Sequence, residues 1–292
     1  MEKRVSRLVR DNSHPFGGQK VIFATKHEKE VILAPLFEEL GISLIPAKVD
    51  TDILGTFSGE VERAGTIRET LRAKLRLAID QNVGARYFLA SEGSFGPHPT
   101  LGWIPSDLES LMLFDSVEET EIYVEFLSTT TVHAEIEIGA RDDFSAFLQR
   151  AQFPSHGLIV RPSDSFDPIF RGLCSLHELQ QALLDSFATS ISGRVKILSD
   201  LRAHMNPTRR IAIAEAGKKL IEALKSFCPQ CNYPGFRIVD GMPGLPCSAC
   251  GAPSSLSKDV VWECPKCFYT NVSSRPDGVS SIGPESCDSC NP

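Results

Sequence analysis

Eight cysteines crowd the last 65 residues of this chain as four Cys-x-x-Cys pairs: Cys228/Cys231, Cys247/Cys250, Cys264/Cys267 and Cys287/Cys290. Such a pair brings two thiolates onto one ion, and two pairs complete a tetrahedral Zn²⁺ site. Consecutive knuckles read C-x2-C-x15-C-x2-C and C-x2-C-x19-C-x2-C, the range of zinc ribbons. The spacing predicts two structural Zn²⁺ ions with sequential pairing, the first two knuckles on one ion and the last two on the other. Joining the middle knuckles would instead leave a 13-residue loop and force the outer two together. A disulfide framework needs an oxidising compartment. No export signal is expected here, because Lys3, Arg4, Arg7 and Arg10 are followed by no apolar stretch. A redox Cys-x-x-Cys usually occurs once, beside a βαβ unit. Closed four-thiolate sites leave no position for substrate, so the knuckles are expected to be folding elements. Cys174 stands apart and reads as a small buried apolar residue.

Three polar clusters follow apolar, strand-like runs, where ligands gather in α/β folds. Thr25-Lys26-His27-Glu28-Lys29 combines a hydroxyl, ammonium groups and the start of a helix, which suits a phosphate or carboxylate; an ordinary capped helix start is the alternative. Asp50-Thr51-Asp52 puts two carboxylates on one side of an extended strand, about 6.6 Å apart. That pair suits a hard cation such as Mg²⁺, with Glu60 or Glu62 nearby; simple solvation of acidic groups competes with this reading. Ser91-Glu92-Gly93-Ser94 runs on to His98, held between Pro97 and Pro99. Glu92, placed directly after an apolar strand, would serve as metal ligand or general base. Asp50, Asp52 and Glu92 are therefore the candidate catalytic residues. Thr25, Lys26, His27 and Lys29 are candidate phosphate contacts, and Ser91, Ser94 and His98 candidate substrate contacts. Arg68, Arg72 and Arg76 form a helical stripe read as a solvated face. Asp200, Arg202, His204, Asn206 and Arg209 are read as a cap at Asn206 within a salt-bridged surface.

The elements that must position these groups alternate. Lys20–Thr25 reads as a buried strand, and Leu33, Leu36, Phe37 and Leu40 follow at helical spacing. Pro35 should kink that helix or start a new one, and Gly41 should end it. Residues 42–49 and 86–90 read as strands. Thr66-Ile67-Arg68-Glu69 is a capping box opening a helix. Further strands are expected within 121–132, 157–160 and 195–201, and helices at 144–152 and 177–187. Asn206-Pro207 supplies an N-cap and a proline at N1 for a last helix. The pattern predicts a layered α/β domain with a mixed sheet over residues 20–226. A basic tail, 1–19, precedes it and a small double zinc ribbon, 227–292, follows.

Composition bounds the partners. The net charge of −7 disfavours clinging to nucleic acid. Residues 228–292 carry four basic and six acidic side chains, so the ribbons lack the basic face that nucleic acid needs. Protein docking or a purely structural role is expected for them instead. No apolar run approaches ~18 residues, so no membrane-spanning helix is expected. The reading is of a cytoplasmic protein.

The Ala24–Glu30, Asp50–Glu60 and Ala90–Pro99 blocks, with Arg202–Arg209 and the terminal cysteine pairs, resemble the signature blocks of an uncharacterised bacterial domain family. That resemblance implies no reaction. Residues 20–130 are also similar, more weakly, to inosine/xanthosine triphosphate pyrophosphatases, which cleave nucleoside triphosphates with Mg²⁺. The likeness lies in an Ala-Thr strand end, a Glu-Thr helix and a strand ending in Glu-Gly, with His27 where that group carries Asn. It implies that Thr25 and Lys29 hold phosphates and that Glu92 holds metal or activates water. Two functions are thus expected. One is a Mg²⁺-dependent hydrolase of a phosphorylated small molecule or nucleotide. The other is a ligand- or partner-binding protein that docks through its ribbons.

Overall fold

A computed structural model describes residues 14–56, 61 and 63–292; the basic residues before His14, together with Glu60 and Glu62, lie outside the described residues. The chain forms two compact units. One comprises the described residues up to Val117 with Tyr123–Lys219, the other Glu118–Ile122 with Leu220–Pro292. The division falls between Lys219 and Leu220, inside a helix.

The first unit contains two sheets. Strands β1 (Lys20–Ala24), β2 (Ser43–Pro46), β3 (Tyr87–Pro97), β4 (Pro105–Asp115) and β5 (Thr120–Ser128) form a mixed sheet in the order β2-β1-β3-β4-β5. Strand β1 is parallel to both β2 and β3, and β4 is antiparallel to β3. Helix α1 (Lys29–Glu38) connects β1 to β2, and α2 (Ile67–Gln81) connects β2 to β3. The capping box at Thr66 forms as expected, with Glu69 reaching back. Leu71, Leu75 and Ala78 of α2 pack on Ile22, Ala24, Phe88, Ala90 and Met112, alternate residues on one face of the sheet. Helix α1 runs through Pro35 without a break, contrary to the expected kink. It packs instead against α5 (Pro207–Lys225), where Gly217 leaves room for Leu33 and Leu36.

A second, antiparallel sheet has the order β6-β9-β7-β8, from β6 (Glu135–Gly139), β7 (Leu158–Pro162), β8 (Phe170–Leu173) and β9 (Arg194–Ser199). Helices α3 (Ser145–Arg150) and α4 (Leu176–Thr189) bury Phe147, Leu179 and Leu183 against it. Asn206 caps α5 as expected, its Oδ1 accepting from Arg209 N at 2.9 Å. Phe16, expected in the tail, is buried with its ring 4.7 Å from that of Tyr87.

Two strand expectations need correction. The second strand ends at Pro46, and Thr51–Leu54 winds into a 3-10 turn capped by the Asp50 side chain. Asp50 and Asp52 are therefore not spaced along an extended strand. The loop expected after Ala90 is strand, because β3 pairs with β4 from Tyr87↔Asp115 through to Pro97↔Pro105.

The second unit contains a meander of β10 (Arg237–Pro243), β11 (Ser257–Glu263) and β12 (Thr270–Ser274) and a small apolar cluster of Leu245, Cys247, Ile282 and Cys287. No helix of the described residues is long and apolar enough to cross a membrane.

Candidate functional site

The parallel part of the mixed sheet dictates where a cleft forms. The chain steps from β1 outward to β2, then back across β1 to β3. Right-handed crossovers in opposite directions must carry their helices on opposite faces. The carboxyl ends of β1 and β3 thus flank a topological switch point, the position at which open α/β sheets bind ligands. A cleft of about 590 Å³ lies there. Thr25, Lys26, His27 and Lys29 line it from the end of β1, Ser91 and Glu92 from β3, and Asp50 and Asp52 from the turn after β2. Lys29, Asp50, Asp52 and Glu92, far apart in sequence, share one cavity.

The backbone after β1 is held in an uncommon conformation. His27 and Glu28 both have positive φ, 66° and 63°, which bulky residues adopt at a cost of about 1–3 kcal/mol. Glu28 is the N-cap residue of α1 and makes no side-chain cap, so this is not the ordinary capped start that would explain the cluster away. Lys26 Nζ donates to Asp50 Oδ1 at 2.6 Å and to Asp52 Oδ2 at 2.7 Å, standing where a bridging cation would. His27 Nε2 lies 3.4 Å from Asp52, and burial drives its pKa down to about 4, leaving the ring neutral at physiological pH. Glu92 is buried, yet Lys74, Lys29 and Arg63 more than offset the burial and hold its carboxyl below the ordinary range. Its two oxygens are engaged by Arg63 at 2.9 Å and Lys74 at 2.7 Å.

Several lining residues escaped sequence reasoning. Arg171, Asp200, Arg202 and Arg209 complete the cleft with Lys74. Asp200 is fully buried and grips Arg202 in a fork, with Nη2···Oδ2 at 2.6 Å. Arg209, also buried, donates from Nε to Glu109 Oε1 at 2.5 Å. A Cβ on Gly93 would stand 2.2 Å from Arg209 Nη2, which is why a glycine interrupts this strand. The stretch Arg202–Arg209, read as a salt-bridged surface, reaches the cleft because α5 begins there. Its dense mixture of charges was the available signal. Arg171 and Lys74 had none.

Two expected substrate contacts are not lining residues. Ser94 lies farther along β3, and His98 folds back on its own turn, its Nδ1 accepting from Thr100 N and Leu101 N at 3.2 and 3.1 Å. Extension of β3 to Pro97 carries both beyond the switch point. Cys174 is exposed, not buried.

The cysteines assemble into two tetrads, Cys228/Cys231/Cys264/Cys267 and Cys247/Cys250/Cys287/Cys290, each with its ligand atoms within 4.8 Å of one another. Sequential pairing is therefore incorrect. Antiparallel strands explain the crossing. Knuckles one and three meet at the Arg237/Glu263/Thr270 end of the meander, and knuckles two and four at the opposite end. Sγ···Sγ distances of 3.7, 3.5, 3.9 and 3.7 Å exclude disulfides. They approach the edge of about 3.8 Å expected for a tetrahedron with metal–sulfur bonds of about 2.3 Å. All four knuckles share one local fold, in which Asn232, Gly251, Phe268 and Asn291 each donate N–H to the carbonyl of the knuckle's first cysteine. Both tetrads are positioned to hold a metal ion.

A family model described as a domain of unknown function (DUF6671) matches residues 74–292. No curated protein matches the chain. Among solved structures, the crystal structure of protein VC0702 from Vibrio cholerae is similar at 15% identity and a TM-score of 0.33, over 74% of this chain and 99% of that one.

Proposed function

Since this chain belongs to the DUF6671 family, a domain of unknown function, we propose, on the cleft's own chemistry, that it binds and hydrolyses a phosphorylated small molecule of nucleotide size. One observation carries the reading. Six cationic side chains (Lys26, Lys29, Lys74, Arg171, Arg202, Arg209) face four anionic ones (Asp50, Asp52, Glu92, Asp200) in the cleft, within a chain whose net charge is −7. A local positive excess in a concave, partly desolvated site selects an anion, and Arg and Lys together suit phosphate. The volume lies within the range of small-molecule pockets.

Thr25, Lys26 and His27 face the phosphate from the strained turn, with Lys29 beneath them. Asp50 and Asp52, whose oxygens already converge on the Lys26 ammonium, fit a hard cation that also takes oxygens from the ligand, the manner in which Mg²⁺ is usually held. The ammonium then turns to the phosphate. Glu92, pinned by Arg63 and Lys74, is better suited to orienting those cations than to taking a proton. The direct assay measures phosphate or pyrophosphate release from nucleoside triphosphates and simpler phosphoesters with Mg²⁺. Asp52→Asn should abolish turnover while the fold survives. Binding detected by calorimetry without turnover on any substrate would favour the non-enzymatic reading, which Lys26 neutralising the aspartate pair also supports. Neither binding nor turnover would overturn both.

For the tetrads we infer Zn²⁺, since four thiolates in a closed tetrahedron are its usual structural site. Elemental analysis should find two zinc ions per chain. Chelation should unfold the second unit, because such ions contribute roughly 10 kcal/mol or more to small modules. One zinc or none, with oxidised thiols, would contradict this.

A further inference from the structure

Lys29 is the anomaly of the cleft. It is 6% exposed, and among the described residues its amine makes no hydrogen bond. Its nearest counter-charge is Glu109 Oε2, at 3.7 Å. A buried ammonium normally persists only when paired and hydrogen-bonded. Among the other cationic groups of the cleft, Lys26 is held that way by two aspartates, Lys74 by Glu92 and Ser91 O, Arg202 by Asp200, and Arg209 by Glu109.

The surroundings of Lys29 disfavour its charge from several directions. It is the first residue of α1, where the helix dipole opposes a cation. Arg209 from α5 and Lys74 from α2 add positive charge, against Glu109 from β4 and Glu92 from β3. Burial, the largest influence, with those two cations brings its pKa down to about 8. Asp107, two residues before Glu109 on the same face of β4, is itself buried and pushed up to about 7 by burial and by Glu109. A poorly solvated lysine beside other cations is a nucleophile, and a carboxylate pair next to it is a proton acceptor.

We propose that Lys29 is a nucleophilic amine that forms an imine with a carbonyl-bearing phosphorylated ligand, Glu109 acting as its proton acceptor. The proposal rests on the reading that the cleft binds phosphate. The amine nitrogen bonds to the carbonyl carbon as the C=O π bond opens, and an N–H proton passes by way of Glu109 to that oxygen, giving the hydroxyl of a carbinolamine. The second N–H proton follows the same route to the departing hydroxyl, which leaves as water as the C=N bond forms. The ligand supplies the carbonyl, and no redox partner is needed.

The full-length protein is incubated with pyridoxal 5′-phosphate or with pyridoxal, reduced with borohydride, and mapped by peptide mass. One adduct is expected, at Lys29, forming at least ~tenfold faster than at the exposed Lys48 and Lys218 and accelerating as pH rises through about 8. Inorganic pyrophosphate should slow it, and pyridoxal should react more slowly than its phosphate. Lys29→Arg, which keeps a cation, should remove the adduct while retaining the wild-type circular dichroism spectrum. Labelling no faster at Lys29 than at Lys48, with pyrophosphate still bound by calorimetry, would overturn the nucleophile and leave the phosphate reading intact. Rapid labelling at Lys29 by both aldehydes, indifferent to pyrophosphate, would keep the nucleophile and remove the phosphate reading.

Discussion

Individual residues carry the cost of this cleft. Arg209, Glu109 and Lys29 are all buried, and desolvating them opposes folding. Lys29 gives the clearest signature, because its folded pKa, about 8, lies below its ordinary 10.5. Below pH 8 the folded state must hold a buried ammonium, and the destabilisation is complete. Between about 8 and the ordinary lysine range the unfolded chain binds more protons than the folded one, so stability rises with pH. Lys29→Met should therefore raise the Tm at pH 7, with a gain that shrinks by pH 10. An equal gain at both pH values in thermal unfolding would refute this sign. Gly93→Ala makes the opposite demand. Its Cβ, 2.2 Å from Arg209 Nη2 and 2.7 Å from Glu109 Oε1, would push the buried pair apart. Overpacking of this kind typically costs 1–3 kcal/mol, roughly, measurable by urea denaturation, and the same variant should lose affinity for pyrophosphate.

Elements decide which residues meet. The capping box of α2 and the Asn206 cap of α5 formed where local sequence placed them, since a cap depends on residues three positions apart. The knuckles behaved differently. Each forms locally, but its partner is chosen by the meander of β10, β11 and β12, whose alternating direction pairs first with third and second with fourth. Replacing Cys231 and Cys264 together by Ser should release one metal ion per chain and leave the other bound. Replacing Cys231 and Cys247 together should release both. Atomic absorption after gel filtration distinguishes these outcomes, and the reverse pattern would restore sequential pairing. Likewise, Asp50 and Asp52 converge on Lys26 because a 3-10 turn, not a strand, carries them.

For the whole molecule, charge is distributed unevenly. The net −7 coexists with a positive excess among the side chains that line one cleft, a distribution that suits a small anion. Binding to DNA or RNA should accordingly be weak at physiological salt, with dissociation constants above about 10⁻⁶ M. Sub-micromolar, steeply salt-dependent binding in fluorescence anisotropy would show a basic face outside the cleft. Beyond Cys228 the second unit carries four basic against six acidic side chains, a balance that disfavours such binding.

Sequence alone determined what depends on neighbours along the chain. That includes the alternating strands and helices, the caps at Thr66 and Asn206, the four knuckles as groups able to hold metal, and the polar turn after β1. Only tertiary structure decided what depends on chain direction and long-range contact. A crossover reversal brought Lys29, Asp52, Glu92 and Arg209 to one cavity, and pairing with β4 carried Ser94 and His98 away from it. Antiparallel strands crossed the cysteine pairs, and the approach of Arg209 required a glycine at 93. These outcomes rest on pairings between residues far apart in sequence, which spacing rules and hydrophobic periods do not encode.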